Sequence, residues 1–157
     1  MRFLLIDKIL EITPGKSAKG VKCWSLDNPV FMDHFPGFPV VPGVLLTESM
    51  AQLSGRLLEE SYYKEFPSTT KAYPVLSIIQ KAKFKTFVQP GDRCIVESEI
   101  FSIDHTRGNV NCRILVENEE VASATLSFLI GAKADLQENP FFDRMQEYYH
   151  MINPDKE

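Results

Sequence analysis

Residues 33–60 read DHFPGFPVVPGVLLTESMAQLSGRLLEE, and this segment has two parts of different composition. Its first part, residues 33–43, holds three prolines and two glycines, which exclude both a helix interior and a regular sheet ladder. Its second part, residues 44–60, has no proline, and its apolar residues recur at helical spacing. Pro42 suits the first turn of a helix, where an amide hydrogen is not needed. We therefore predict a rigid loop that leads directly into a long helix.

The segments around this helix favour antiparallel strands. Turn signals at residues 90–92, 107–109 and 117–119 separate four strand-like segments. We predict these strands over residues 75–88, 94–103, 110–116 and 120–130. An earlier strand is predicted over residues 18–26, whereas residues 3–12 are compatible with either a strand or a helix. The helix is too apolar to leave one face in water, so we expect an α+β fold in which the sheet wraps around it.

Composition sets further bounds on the chain. Its 157 residues fit one domain, and 44% hydrophobic with 24% charged residues is typical of a globular protein. A formal charge of −4 gives no general attraction to nucleic acid or to an anionic membrane. Cys23, Cys94 and Cys112 form no disulfide or zinc motif, so we expect a reducing cytoplasm. We find no membrane-spanning run and no targeting signal.

The residues after Gly131 differ in character from the rest of the chain. Asn139 and Pro140 favour a helix start, and a stripe of largely aromatic residues follows at helical spacing. The stripe consists of Phe141, Phe142, Met145, Tyr148, Tyr149 and Ile152. We divide the chain into a domain at residues 1–133 and an amphipathic helical extension at residues 134–157. We expect the stripe to pack on its own domain or on a second subunit, and a ligand lid or a docking helix is the alternative.

Glu48 is the first candidate for acid–base chemistry. Arg56 is the only other ionisable residue in residues 44–58. A carboxyl buried among apolar side chains without a cationic partner favours its protonated form, which can act as a general acid. Gln52, one turn later, is placed to orient this carboxyl by a hydrogen bond. The alternative is a structural glutamate satisfied by a buried arginine or by solvent.

His34 is the second candidate, because it lies in the rigid loop just before the helix. A neutral imidazole has one acceptor nitrogen that can take a proton. The alternative is a histidine that only bonds to loop backbone. His105 and His150 have no comparable setting, and we interpret both as surface residues.

The start of the predicted helix supplies a third element. Free amides and the positive end of the helix dipole near Gly43 and Val44 favour negative charge on a carbonyl oxygen. Gly43 permits close approach by a substrate because it has no side chain. The alternative is a glycine that only makes a tight turn.

Three short segments of the central stretch carry a recognisable pattern. They are His34-Phe35-Pro36-Gly37, Pro39-Val40-Val41-Pro42-Gly43-Val44-Leu45 and Glu48-Ser49-Met50-Ala51-Gln52. Together they resemble the β-hydroxyacyl-(acyl-carrier-protein) dehydratases of the hot-dog fold. The likeness extends to residues 2–7, 81–85 and 88–92.

The resemblance implies a hot-dog fold, with a long central helix wrapped by an antiparallel sheet and, here, an extra C-terminal helix. It also implies a homodimer or a trimer of dimers, in which the catalytic His34 of one subunit faces Glu48 of the other. The residues expected to contact substrate are Phe35, Gly43, Val44 and Gln52.

The implied reaction is dehydration of 3-hydroxyacyl-(acyl-carrier-protein) to the trans-2-enoyl product, in fatty-acid or related acyl-chain biosynthesis. No metal or organic cofactor is expected, and the resemblance implies that the acyl chain arrives on the phosphopantetheine arm of the carrier. Glutamate at position 48 favours dehydration without isomerisation. The alternatives are a hot-dog thioesterase and a non-catalytic acyl-binding subunit, and the pairing of His34 with Glu48 argues against both.

Lys81, Lys83 and Lys85 recur at every second residue and therefore share one face of a strand. We expect this basic strip to meet an acidic acyl carrier protein. An ordinary solvated strand face is the alternative.

Overall fold

The computed structural model describes residues 3–68, 72–131 and 140–153. Its elements follow in the order β1 (Lys8–Thr13), β2 (Ser17–Cys23), a short 3-10 helix (Pro29–Met32), α1 (Gly43–Glu65), β3 (Tyr73–Phe84), β4 (Arg93–Ile103), β5 (Arg107–Val116), β6 (Glu119–Gly131) and α2 (Pro140–Ile152). The predicted loop, central helix and five strands are confirmed. Residues 3–12, which are compatible with either a strand or a helix by sequence, contain most of the strand β1. The strand predicted to reach Val88 ends at Phe84.

All six strands form one antiparallel sheet in the order β1-β2-β4-β5-β6-β3. Along β5, Val110, Cys112 and Ile114 are buried, whereas Asn111 and Arg113 between them are exposed. The buried face of the sheet points toward α1, which contacts every strand. The predicted α+β fold, with a long helix wrapped by an antiparallel sheet, is therefore confirmed.

The sheet has two edge strands of different character. β3 pairs only with β6 and exposes most of its length, including the apolar side chains of Val75, Ile78 and Ile79. β1 pairs only with β2, and its register shifts between Ile9 and Glu11. The edge formed by β3 is thus long and partly apolar, whereas the edge formed by β1 is short, and both strands have register shifts.

The central helix buries several hydroxyl groups without leaving them unpaired. The hydroxyls of Thr47, Ser49, Ser54 and Ser61 each donate to the carbonyl four residues earlier, at 2.5–3.1 Å. At Gly108 of β5, an added Cβ would lie 2.4 Å from a methyl carbon of Leu58. This glycine allows α1 to pack directly on the backbone of the sheet.

The C-terminal helix α2 packs against α1 and the start of the chain. The Tyr148 hydroxyl donates to the carbonyl of Ile6, and Gln146 Nε2 donates to Glu59 Oε1 at 3.0 Å. Tyr148 and Ile152 are buried, so this part of the predicted stripe is covered by its own chain. The side chains of Phe141, Phe142 and Met145 lie outside the described part of the structure. The boundary predicted between residues 133 and 134 also lies outside it.

Candidate active site

The loop that carries His34 is closed by its own backbone hydrogen bonds. The amides of Phe35 and Phe38 donate to each other's carbonyls at 3.0 and 2.9 Å. Gly37 between them has a φ of +79°, which fits a Pro-Gly pair at the centre of a type II turn. The prolines and glycine of the sequence thus build a tight turn directly after His34.

His34 itself is fixed by contacts to neighbours in the chain. Its amide donates to the Val30 carbonyl at 3.2 Å, and its carbonyl accepts from the Val40 amide at 3.0 Å. Its Nδ1 lies 2.9 Å from the carbonyl oxygen of Val40. Because a carbonyl oxygen can only accept, Nδ1 carries the proton and the neutral ring has its lone pair on Nε2. Nε2 is therefore the atom that can take up a proton.

Glu48 lies half-buried in the second turn of α1. Its Oε1 accepts from Gln52 Nε2 at 2.9 Å. Gln52 Nε2 also donates to the Phe3 carbonyl at 3.1 Å, while Gln52 Oε1 accepts from the Leu5 amide at 2.8 Å. These bonds fix the amide orientation, because only the amide oxygen can accept from Leu5. A proton on Glu48 is therefore directed to the oxygen that Gln52 does not contact.

Arg56, the other ionisable side chain on this part of α1, is engaged elsewhere. It pairs with Glu59 at 2.9 Å and with Glu60 at 2.5 Å. No ion pair reaches Glu48 within the described residues. Among the described residues, Glu48 is thus not a structural glutamate paired with a buried arginine.

The start of α1 has no side-chain cap, since Pro42 occupies the capping position. The amides of Leu45 and Leu46 both donate to the Pro42 carbonyl, at 2.9 and 3.3 Å. The amides of Gly43 and Val44 remain as the donors that a helix start directs outward. An added Cβ at Gly43 would lie 3.0 Å from the ring of Phe84, so this aromatic side chain occupies the space beside Gly43.

Both candidate catalytic residues lie near the start of α1, but no hydrogen bond joins His34 to Glu48 within the described residues. The Val41 amide, between them in the chain, donates to the Val88 carbonyl at 2.8 Å. Phe84, the last residue of β3, packs on Gly43. The candidate site therefore adjoins the edge formed by β3. Of the other predicted substrate contacts, Phe35 is exposed and stacks on the His34 ring, with centroids 4.1 Å apart.

The basic strip lies on the exposed outer face of the sheet. Lys81 and Lys83 oppose Thr125 and Ser123 of β6, and both lysines are exposed. Lys85 follows the end of β3 and pairs with Glu120 at 2.7 Å. His105 and His150 are exposed, as predicted.

A cavity of about 530 Å³ also lies on this outer face, and neither His34 nor Glu48 lines it. Its central carboxylate, Glu97, pairs with Lys19 at 3.5 Å and with Arg113 at 2.7 Å. Partial burial acts to raise the pKa of Glu97, but the hydrogen bond and charge of Arg113 outweigh it and lower that pKa. We assign no catalysis to this groove, which neither His34 nor Glu48 lines. Within the described residues, no group of three or more His, Cys, Asp or Glu side chains is arranged to hold a metal.

No pattern in the sequence indicates the groups that hold Gln52. Leu5 lies 47 residues from Gln52, and no local spacing connects the two. Tyr148 and Ile6 are 142 residues apart, and no local spacing indicates their contact either. The turn around His34, by contrast, can be found from its proline and glycine spacing.

Comparison with solved structures identifies the fold. The dehydratase heterocomplex ApeI:P from Xenorhabdus doucetiae matches 85% of this chain and 87% of its own, with a TM-score of 0.69 and 14% identity. A hot-dog-like protein from Thermanaerovibrio acidaminovorans matches 85% of this chain and 93% of its own, with a TM-score of 0.63 and 15% identity. The architecture is thus the hot-dog fold.

Sequence comparison identifies the family. The FabA-like domain matches residues 1–125, and the chain belongs to that family. It is 41% identical over 128 residues to the 3-hydroxyacyl-[acyl-carrier-protein] dehydratase FabZ of Caldicellulosiruptor saccharolyticus, covering 82% of this chain and 88% of the relative. The dehydratase of the same name from a Hydrogenobaculum species is 42% identical over 123 residues, covering 78% and 81%. The resemblance found in the sequence is confirmed.

Proposed function

We propose that this protein is a 3-hydroxyacyl-(acyl-carrier-protein) dehydratase that forms trans-2-enoyl products in fatty-acid or related acyl-chain biosynthesis. The observation that carries the proposal is an imidazole and a carboxyl near the same helix start, in which His34 Nε2 and one Glu48 oxygen accept no hydrogen bond from the described residues. The FabZ dehydratases at about 40% identity support the same reaction.

The structure contains no helix in its described ranges that is long and apolar enough to cross a membrane. We place the reaction in the cytoplasm, in keeping with three free cysteines.

The proposed reaction is a β-elimination. The amide of Gly43 or Val44 donates to the thioester carbonyl and acidifies the α-carbon. His34 Nε2 removes the α-proton, and Glu48 gives its proton to the β-hydroxyl as the carbon–oxygen bond breaks. The electrons of the broken C–H bond form the double bond, and water leaves. Acid, base and carbonyl donor all belong to the protein, so the step needs no metal or organic cofactor.

We also propose that the active unit is a homodimer joined along β3. Large exposed apolar side chains follow this edge and surround the start of α1: Phe35, Phe38, Val44, Val75, Ile78, Ile79, Phe84 and Phe87. Such a surface on an unpaired strand favours self-association. Because the candidate site adjoins the same edge, a second copy placed there brings its own Glu48 toward His34 and excludes water. A trimer of such dimers is compatible with this arrangement.

Incubation with a 3-hydroxyacyl thioester tests the reaction. Enoyl absorbance that appears with wild-type protein and disappears with His34→Ala supports dehydration. Free thiol without an enoyl product would instead indicate a thioesterase. Neither product, despite acyl binding, would indicate a non-catalytic subunit.

Mixing two inactive variants tests whether the site is shared. In a two-fold dimer, a His34→Ala subunit paired with a Glu48→Gln subunit has one site with both native residues. Random exchange of subunits should therefore restore about one quarter of wild-type turnover, because half of the dimers are mixed and each has one intact site. No recovery after verified exchange would place both residues of each site on one chain.

We propose that the carrier protein docks on Lys81 and Lys83, since Lys85 is already paired with Glu120. Replacement of both lysines by glutamate should raise KM for a carrier-bound substrate and leave kcat and the KM of a short pantetheine thioester unchanged. Lys8→Glu, at an exposed position on β1, is the matched control. Equal KM values for wild type and double variant would remove this docking assignment.

A further inference from the structure

The helix α2 lies beyond residues 1–125, which match the FabA-like domain, yet it contacts the segment next to the proposed acid. The Tyr148 hydroxyl donates to the carbonyl of Ile6. Tyr148 is only 7% exposed, and burial raises its pKa to about 12. The phenol therefore remains a hydrogen-bond donor throughout the neutral range.

Ile6 belongs to the same short segment that orients Gln52. The neighbouring Leu5 amide donates to Gln52 Oε1, and the Phe3 carbonyl accepts from Gln52 Nε2. Gln52 in turn donates to Glu48. An unbroken path of contacts thus leads from α2 through residues 3–6 to the Glu48 carboxyl.

We propose that Tyr148 is a positioning residue for the general acid: by holding the Ile6 carbonyl it fixes residues 3–6, which fix the Gln52 amide and thereby the Glu48 carboxyl. This inference rests on the proposed role of Glu48. Without the phenol, the Ile6 carbonyl loses the bond that ties residues 3–6 to α2, while the buried side chains of Leu5 and Ile6 and the Asp7 amide bond to Val21 at 2.8 Å remain. The acid then samples orientations from which proton transfer is slower.

A second contact joins α2 to α1. The Tyr149 ring lies under the Arg56 guanidinium, with 4.7 Å from Cζ to the ring centroid. Burial raises the pKa of Tyr149, and the negative charges of Glu59 and Glu48 add to this effect. The helix α2 is therefore attached to α1 as well as to the start of the chain.

Tyr148→Phe removes only the hydroxyl and is the primary test. We expect kcat to fall roughly three- to tenfold with KM unchanged, since a misplaced acid slows chemistry rather than binding. Gln146→Ala is the matched control, because it removes a different bond between α2 and α1 and leaves the Ile6 contact intact. Melting temperatures of both variants show how far each loosens the helix.

A double-variant cycle separates positioning from general stability. If Tyr148 acts through Gln52, Tyr148→Phe should have no further effect on kcat in a Gln52→Ala background. An undiminished effect there, an unchanged kcat in the single variant, or an equal loss in Gln146→Ala would each overturn the inference.

Amide exchange provides a readout that does not depend on turnover. We expect the side-chain amide protons of Gln52, followed by nitrogen-15 NMR, to exchange faster in Tyr148→Phe than in wild type or Gln146→Ala. Unchanged exchange would contradict the positioning role. If the wild-type protein forms no enoyl product, the proposed function fails, and this measurement still decides whether Tyr148 fixes Gln52.

Discussion

The surroundings of His34 and of Glu48 are built in opposite ways. His34 bonds to Val30 and Val40, four and six residues away, so its position is set within one loop. Glu48 depends on Gln52, whose partners lie 47 and 49 residues away near the start of the chain. The base is therefore in place once a short loop closes, whereas the acid is in place only when distant parts of the chain have packed. Distant substitutions should disturb the acid more than the base.

The largest expected effect comes from removing either group outright. His34→Ala and Glu48→Gln should each lower kcat/KM by about 10²- to 10⁴-fold, because each eliminates one proton transfer. The double variant should be little worse than the poorer single variant, since the two groups act on one step. Steady-state kinetics on the 3-hydroxyacyl thioester provides the measurement. Multiplicative losses would indicate that the residues act independently.

The second-largest expected effect concerns Gln52, which connects the proposed acid, Glu48, to the start of the chain. Gln52→Ala removes the bonds to Glu48, Leu5 and Phe3, so turnover should fall roughly ten- to a hundredfold. Stability should also fall by about 1–3 kcal/mol, because the Leu5 amide loses its partner. Kinetics and urea unfolding measure the two effects. If activity were retained while stability fell, Gln52 would be a structural residue alone.

A smaller expected effect concerns the tight turn that follows His34, the proposed base. Gly37→Ala places a side chain at a φ of +79° and should reduce stability by about 1–2 kcal/mol. The matched control is Gly55→Ala within α1, where the nearest atom to the added Cβ is 4.0 Å away and stability should rise by up to about 1 kcal/mol. Denaturant unfolding measures both variants. Equal effects at the two glycines would indicate that the turn is not strained by alanine.

The smallest effect concerns pH. The pKa of Tyr148 is raised from its ordinary value of 10.0 to about 12, so between these values the unfolded chain has released a proton that the folded chain retains. The unfolded state then binds fewer protons, and stability must fall as the pH rises through this window. The decrease in melting temperature between about pH 10 and pH 12 should be smaller in Tyr148→Phe. If the melting temperature decreased equally in wild type and Tyr148→Phe, ionisation of Tyr148 would not be its cause.

Local patterns in the sequence predicted the parts of the molecule whose causes are local. The proline and glycine spacing of residues 33–43 predicted the turn at His34, and the apolar repeat predicted α1. The apolar residues within 75–88 wrongly predicted that β3 reaches Val88. They continue beyond Phe84, the last residue of β3 that is in register with β6. The partners of Gln52 and the packing of Phe84 on Gly43 required the folded chain, since they join residues separated by about 40 positions or more.

The short edge formed by β1 bears on how far the sheet can grow. In a dimer joined through β3, both remaining free edges are β1, which has 6 residues where β3 has 12. The exposed charges of Lys8 and Glu11 further oppose the addition of another strand. If the proposed dimer forms, we expect sheet extension to stop at two copies instead of continuing as a fibre, so that a larger assembly has to use other surfaces.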